Sequence, residues 1–136
     1  MTTQKKLTLV FYQNLGKLFF AIAASDGTVR ELEFDKLKAF VKQEWLDVDD
    51  INDAFGADAA YQIEIVFDWL KHSDELNVQA CFDDFINYKN DQSQLFTADI
   101  RKLILKTATS IAYAFSGINK AELIMLAKLD IELKKS

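Results

Sequence analysis

The absence of proline is the feature that most constrains how this chain folds. None of the 136 residues is proline, so the strongest helix-breaking residue is missing. No segment shows the alternation of apolar and polar residues that is typical of a strand. Two early segments instead have apolar residues at helical spacing, namely Phe11, Leu15, Leu18 and Ile22, and then Phe34, Leu37, Val41 and Trp45. The sequence therefore predicts an all-α protein.

The periodic segments divide the chain into six long helices and one short one. The predicted ranges are 8–24, 30–45, 49–55, 58–72, 78–89, 98–115 and 119–134. A chain of 136 residues has the length of one typical domain, and half of its residues are apolar, which is enough to build a core. We therefore expect residues 1–136 to form one compact single-domain bundle of six to seven helices with short connections.

Two helical hairpins resemble each other in sequence. The first is AIAASDGTVRELEFDKLKAFV, from Ala21 to Val41, and the second is SIAYAFSGINKAELIMLAKL, from Ser110 to Leu129. In each, a glycine suited to ending a helix is followed by a candidate capping box. These boxes pair Thr28 with Glu31 and Asn119 with Glu122. The sequence predicts two pseudo-repeated hairpins that flank a central helix pair.

The segment 58–72 is apolar over more than half of its helical circumference. Ile65 and Trp69 belong to this apolar surface, and the remaining polar wedge consists of Glu64, Asp68, Lys71 and His72. We therefore expect this helix to be the central one, packed on several sides.

Charge and cysteine content exclude several classes of protein. The formal charge of −5 opposes binding to the phosphate backbone, so we expect no nucleic-acid partner. The single cysteine, Cys81, cannot form an internal disulfide, which makes a cytoplasmic location the default prediction. No apolar run approaches the ~20 residues needed to span a bilayer, so we expect no membrane insertion.

Two acidic stretches, the loop around Gly27 and the run 47–53, can be compared with the ligand pattern of a calcium-binding loop. A calcium-binding EF-hand loop is excluded around Gly27, because its first and third ligand positions fall on Ile22 and Ala24. The run DVDDIND, residues 47–53, has more oxygen ligands but lacks the glycine and the glutamate of such a loop. It is either a cation site or a solvated acidic turn that begins a helix.

One helix face carries a possible transition-metal site. Glu64, Asp68 and His72 are spaced i, i+4 and i+8, so they follow one face, and Asp26 or Glu33 would complete a ligand set. The alternative is that the three residues are the solvent-contacting strip of a buried helix. Cys81 lies among apolar residues at helical spacing and is expected to be core packing, not a nucleophile. We predict no enzyme activity.

The first hairpin resembles the signature of the TerB-like family, the tellurite-resistance domain that is also related to the N-terminal region of a membrane-anchored DnaJ-type co-chaperone. The matching residues are Asp26, Gly27, Val29 and Glu33. The second hairpin departs from the pattern, since Ser116 replaces the aspartate and Glu122 comes one residue early. The resemblance implies a compact all-helical domain in stress response, with carboxylates for ion or partner binding and no enzymatic activity.

The function expected from the sequence is that of a non-enzymatic TerB-like domain that binds a protein partner, with or without a divalent cation. The alternative is a divalent metal-ion-binding protein, and a third hypothesis is a metal-dependent enzyme. Apart from such a cation, no cofactor is predicted. The candidate metal ligands are Asp26, Glu33, Glu64, Asp68 and His72.

Overall fold

The computed structural model of the chain describes residues 8–46, 48, 58–73, 77–114 and 119–135. These residues form six α-helices and no strand, which confirms the predicted all-α fold. The helices are α1 (Leu9–Ala23), α2 (Glu31–Phe40), α3 (Gln62–Lys71), α4 (Val78–Asp91), α5 (Ala98–Ala112) and α6 (Lys120–Lys134). Shorter turns adjoin them: the π-helical turn Val41–Trp45 continues α2, and 3-10 turns at Ala59–Tyr61 and Ser93–Leu95 precede α3 and α5.

Side-chain caps fix where four of these helices begin. The side chains of Thr8, Asn77, Thr97 and Asn119 each accept a backbone hydrogen bond in the first turn of α1, α4, α5 and α6, respectively. The observed bounds are close to the predicted ones, although α5 ends at Ala112 where the prediction extended to 115. The predicted short helix at 49–55 lies outside the described residues.

Helix α1 is the central helix of the fold, so the prediction that the segment 58–72 is central is wrong. Eleven of the fifteen residues of α1 are buried, and α1 contacts α3, α4, α5 and α6. It approaches α3 closely at Gly16, where an added Cβ would lie 2.7 Å from the carbonyl oxygen of Ile63. Glycine at this position lets the two helix backbones meet.

Helix α3 packs on one side only. Its buried side chains are Ile63, Phe67 and Leu70, whereas Trp69 is 69 % exposed and Ile65 is 51 % exposed. The apolar surface predicted for this helix is therefore divided between the core and solvent. Apolar identity alone does not determine which side of a helix a neighbour covers.

The packing of Cys81 agrees with its predicted role. The side chain is buried in the core, and burial raises the pKa of its thiol, which opposes formation of a reactive thiolate. Within the described ranges, no helix combines the length and apolar character needed to cross a membrane.

Candidate functional site

Asp26 organises the turn that joins α1 to α2. Gly27 follows it with a φ of +90°, a left-handed conformation that favours glycine. One carboxylate oxygen of Asp26, Oδ1, accepts a hydrogen bond of 3.1 Å from the backbone N–H of Thr28. The other, Oδ2, accepts one of 3.0 Å from Nη1 of Arg30. Asp26 therefore closes the turn and holds the guanidinium that precedes α2.

Glu33 caps the first turn of α2. Its Oε1 accepts a hydrogen bond of 2.7 Å from the backbone N–H of Arg30, the N-cap residue. This corrects the predicted Thr28–Glu31 capping box, because the helix begins two residues later than that box requires. Glu31 instead forms an ion pair with Lys71 of α3 at 3.2 Å. Only one of the two hydrogen bonds of a capping box forms here. The side chain of Arg30 has only donors, so it cannot accept a hydrogen bond from the backbone N–H of Glu33.

The first turn of α6 contains the predicted Asn119–Glu122 capping box. Oδ1 of Asn119 accepts a hydrogen bond of 2.9 Å from the backbone N–H of Glu122, and Oε1 of Glu122 accepts bonds from the backbone N–H and the Nδ2 of Asn119 at 3.5 and 2.7 Å. Nδ2 of Asn119 also donates to Oδ2 of Asp26 at 2.7 Å. Asn119 thus joins the two hairpins, while Ser116 and Gly117 of the second hairpin lie outside the described residues.

The two N3 glutamates form a buried pair. Glu33 and Glu122 are each 1 % exposed, and their carboxyl groups are within hydrogen-bonding range of each other. Burial, reinforced by Glu122, raises the pKa of Glu33 from 4.5 to about 8, although the bond from Arg30 acts in the opposite direction. Oε2 of Glu122 has no hydrogen-bond partner among the described residues. A proton on Glu33 would supply the missing donor.

The cluster is anionic even though it contains an arginine. We use the name carboxylate cluster for Asp26, Arg30, Glu33, Asn119 and Glu122. Three carboxylates and one guanidinium leave a formal excess of two negative charges when all are ionised. Helices α2 and α6 both begin at this cluster, and the dipoles of the two helices stabilise negative charge at their N-termini.

The structure separates the five metal ligands predicted from the sequence into two places. Asp26 and Glu33 belong to the carboxylate cluster, whereas Glu64, Asp68 and His72 lie along α3. Nδ1 of His72 is 2.8 Å from the carbonyl oxygen of Asp68, and both side chains are more than half exposed. Burial raises the pKa of Glu64. In the part of the chain that is described, no three His, Cys, Asp or Glu side chains form a group that could hold a metal ion.

Sequence reasoning missed Glu122 and Asn119 as site residues. Glu122 departs from the family pattern because it comes five positions after Gly117, whereas Glu33 comes six positions after Gly27. Counted from the N-cap instead, both glutamates occupy N3 of their helices. The capping box itself was the signal, because it specifies a position relative to the helix and not to the turn.

Comparison with known proteins gives no match: no family model, no curated protein and no solved structure is similar to this chain at a significant level.

Proposed function

We propose that this chain is a non-enzymatic binding domain in which Glu33 and Glu122 exchange a shared proton for a divalent cation. The observation that carries the proposal is Oε2 of Glu122, a buried carboxylate oxygen without a hydrogen-bond partner among the described residues, next to a second buried carboxyl group. A buried charged oxygen without a partner is costly, and a proton or a cation removes that cost.

The ligand set favours a hard cation that keeps part of its water shell. Mg²⁺ is commonly bound by one or two carboxylates with water completing its coordination, and Ca²⁺ also takes oxygen ligands. Zinc prefers histidine and cysteine, and among the described residues neither His72 nor Cys81 has a hydrogen bond or ion pair with the carboxylate cluster. Among the described residues, Glu33 and Glu122 have no third acidic or histidine ligand beside them that would complete a metal-binding group. Such a pair suits Mg²⁺ or Ca²⁺ better than a structural zinc ion, which needs four protein ligands.

Charge balance supports the same conclusion. The formal excess of two negative charges in the fully ionised carboxylate cluster equals the charge of one divalent cation. Arg30 remains paired with Asp26 at 3.0 Å, so the cation would interact mainly with Glu33 and Glu122. Because binding requires deprotonated carboxylates, affinity should increase with pH.

Thermal unfolding tests the proposal. Mg²⁺, Ca²⁺ and Mn²⁺ are added separately at constant ionic strength, and the expected result is a rise in Tm with at least one of them. A ligand at about 100 times its Kd stabilises the folded state by about 2.7 kcal/mol. Glu122→Gln should abolish the rise, whereas Glu64→Gln, a half-buried carboxylate outside the cluster, should retain it. An unchanged Tm with all three ions would overturn the proposal.

A second candidate function is protein-partner binding. The sequence led us to expect a partner, and the exposed surface of α3 is the structure's own candidate for where it binds. It is favoured by Trp69 and Ile65, which are 69 % and 51 % exposed and one helical turn apart. Exposed aromatic side chains are enriched at binding hot spots. Capture of a defined protein that is lost in Ile65→Glu and retained in Val10→Glu, another exposed apolar site, would support this function. Equal capture by the two variants would contradict it.

Membership of the TerB-like family and a role in stress response or tellurite resistance remain predictions from the first hairpin. The carboxylate cluster supports them only in so far as Asp26 and Glu33, two residues of that pattern, lie in it.

A further inference from the structure

A groove of about 460 Å³ lies between the N-terminal end of α5 and the C-terminal end of α6. These are the helix ends that do not belong to the second hairpin. Phe96, Ala98, Leu105 and Leu133 supply its apolar surface, and Arg101, Lys102, Asp130 and Lys134 supply its charged groups. This volume lies within the range of about 300 to 1,000 Å³ that is typical of small-molecule sites. The groove shares no residue with the carboxylate cluster.

The charges around the groove are unbalanced. Lys134 is paired with Asp130 at 3.0 Å, which leaves Arg101 and Lys102 as cations. Among the described residues, neither has a carboxylate within 4.0 Å. The whole chain is acidic, with a formal charge of −5, so a cationic groove is a local departure from its overall charge.

Arg101 is fixed in position at the groove. Its Nε donates to the carbonyl oxygen of Phe96 at 2.8 Å, and its Nη1 donates to the carbonyl oxygen of Leu133 at 2.8 Å. A guanidinium has five N–H donors, so these two bonds leave donors available for an anion. The side chain is therefore held in place before any ligand binds, which reduces the entropy lost on binding.

The charge of Arg101 also acts on a buried lysine, Lys89. Lys89 is 1 % exposed, and its described hydrogen bond is a long one of 3.4 Å to Oδ1 of Asn90. Burial, and then the nearby charge of Arg101, lower the pKa of Lys89, while Glu132 acts against this. Glu132 is itself paired with Lys135 at 3.0 Å. An anion near Arg101 would offset this concentration of positive charge.

We propose that the groove between α5 and α6 binds the anion of a medium-chain fatty acid, with its carboxylate at Arg101 and Lys102 and its chain along Phe96, Leu105 and Leu133. The apolar surface accounts for the chain, and the unbalanced cations account for the carboxylate. Arginine is well suited to this contact because its planar fork binds carboxylates with two parallel hydrogen bonds.

Calorimetric titration of the full chain tests this with three probes kept below their aggregation concentrations. Decanoate should bind, whereas acetate, which lacks the chain, and decyltrimethylammonium, which has the opposite charge, should not. Each buried methylene strengthens binding by about fourfold, so decanoate, which has two more methylenes, should bind about fifteenfold more tightly than octanoate. No binding of decanoate, or equal binding of decanoate and decyltrimethylammonium, would overturn the proposal.

Three variants locate the binding. Lys102→Glu should weaken decanoate binding by about tenfold or more, and Lys128→Glu, at an exposed lysine of α6 that does not line the groove, should leave it unchanged. Ala98→Phe should block the groove sterically; Ala98 is exposed, so the fold should tolerate the larger side chain. Undiminished binding in Lys102→Glu and Ala98→Phe would show that decanoate binds elsewhere and would refute the assignment.

Discussion

Nδ2 of Asn119 donates to Oδ2 of Asp26 at 2.7 Å, which joins two turns that are 93 residues apart in the sequence. The same amide nitrogen donates to Oε1 of Glu122 at 2.7 Å. One side chain therefore caps α6, closes the contact between the hairpins and holds one of the two buried glutamates. This is why the carboxylate cluster forms as a unit instead of as two separate helix caps.

The first prediction concerns stability and Asn119. Replacing an asparagine N-cap with alanine costs typically about 1 kcal/mol. Asn119→Ala should cost about 1 to 3 kcal/mol more, because it also removes the side-chain donors to Asp26 and the buried Glu122. Asn77→Ala is the matched control, since Asn77 caps α4 but has no described link to the cluster. Equal losses in urea denaturation would contradict the linking role of Asn119.

The second prediction concerns pH and Glu33. The pKa of Glu33 is raised to about 8 in the folded protein from an ordinary value of 4.5, so the folded state holds more protons than the unfolded chain between these pH values. The free energy of unfolding should therefore fall as pH rises from 4.5 towards 8, by up to about 1.4 kcal/mol per pH unit from this group. Glu64, whose pKa is also raised, contributes a change of the same sign.

Glu33→Gln isolates the contribution of Glu33. The neutral amide still accepts from Arg30 and gives Glu122 a donor, so the variant should be more stable than the wild type at pH 8 and nearly equal to it near pH 5. Denaturant unfolding at a series of pH values measures both slopes. If the wild type and Glu33→Gln lose stability at the same rate over this range, the glutamate pair does not hold the proton.

The third prediction concerns the close approach of α1 and α3. Gly16→Ala would place a Cβ 2.7 Å from the carbonyl oxygen of Ile63 and 2.8 Å from Cβ of Val66, so one of the helices has to move. Overpacking of this kind costs about 1 to 3 kcal/mol, which outweighs the gain in helix propensity. Gly27→Ala, where nothing lies within 4 Å but φ is +90°, should cost less. A thermal midpoint of Gly16→Ala at or above that of the wild type would contradict the packing.

The fourth prediction separates the two tryptophans. Trp45 is fully buried and its Nε1 donates to Oγ1 of Thr107 at 3.1 Å, whereas Trp69 is 69 % exposed. In Trp45→Phe, the remaining fluorescence should be strongly quenched by acrylamide, because it comes from Trp69. In Trp69→Phe, the remaining emission should be shielded and at shorter wavelength. Similar quenching in both variants would refute the described orientation of α3.

The helices were predictable because their apolar residues follow one period and the chain lacks proline. The orientation of α3 was not predictable, because Trp69 and Ile65 are as apolar as Phe67. Only the position of α1 decides which of these side chains is buried. Sequence spacing also identified the Asn119–Glu122 box, which depends on neighbouring residues alone.

The candidate site was only half predictable. Asp26 and Glu33 follow from the first hairpin, but their contact with Asn119 and Glu122 depends on tertiary packing across 93 residues. The spacing of Glu64, Asp68 and His72 does place them on α3 at helical intervals, yet Asp68 and His72 are more than half exposed. Among the described residues, no hydrogen bond or ion pair joins these three to Asp26 or Glu33. Local periodicity carries no information on which helix ends meet.

Proton release on cation binding tests the exchange at Glu33 and Glu122. The cation that raises Tm is titrated into weakly buffered protein at pH 7, and the released protons are counted with a pH indicator. Because Glu33 has a pKa of about 8, the wild type should release about one proton for each cation bound. Glu33→Gln should release none. Cation binding without proton release, or the same release from both proteins, would contradict a carboxylate pair that exchanges its proton for a cation.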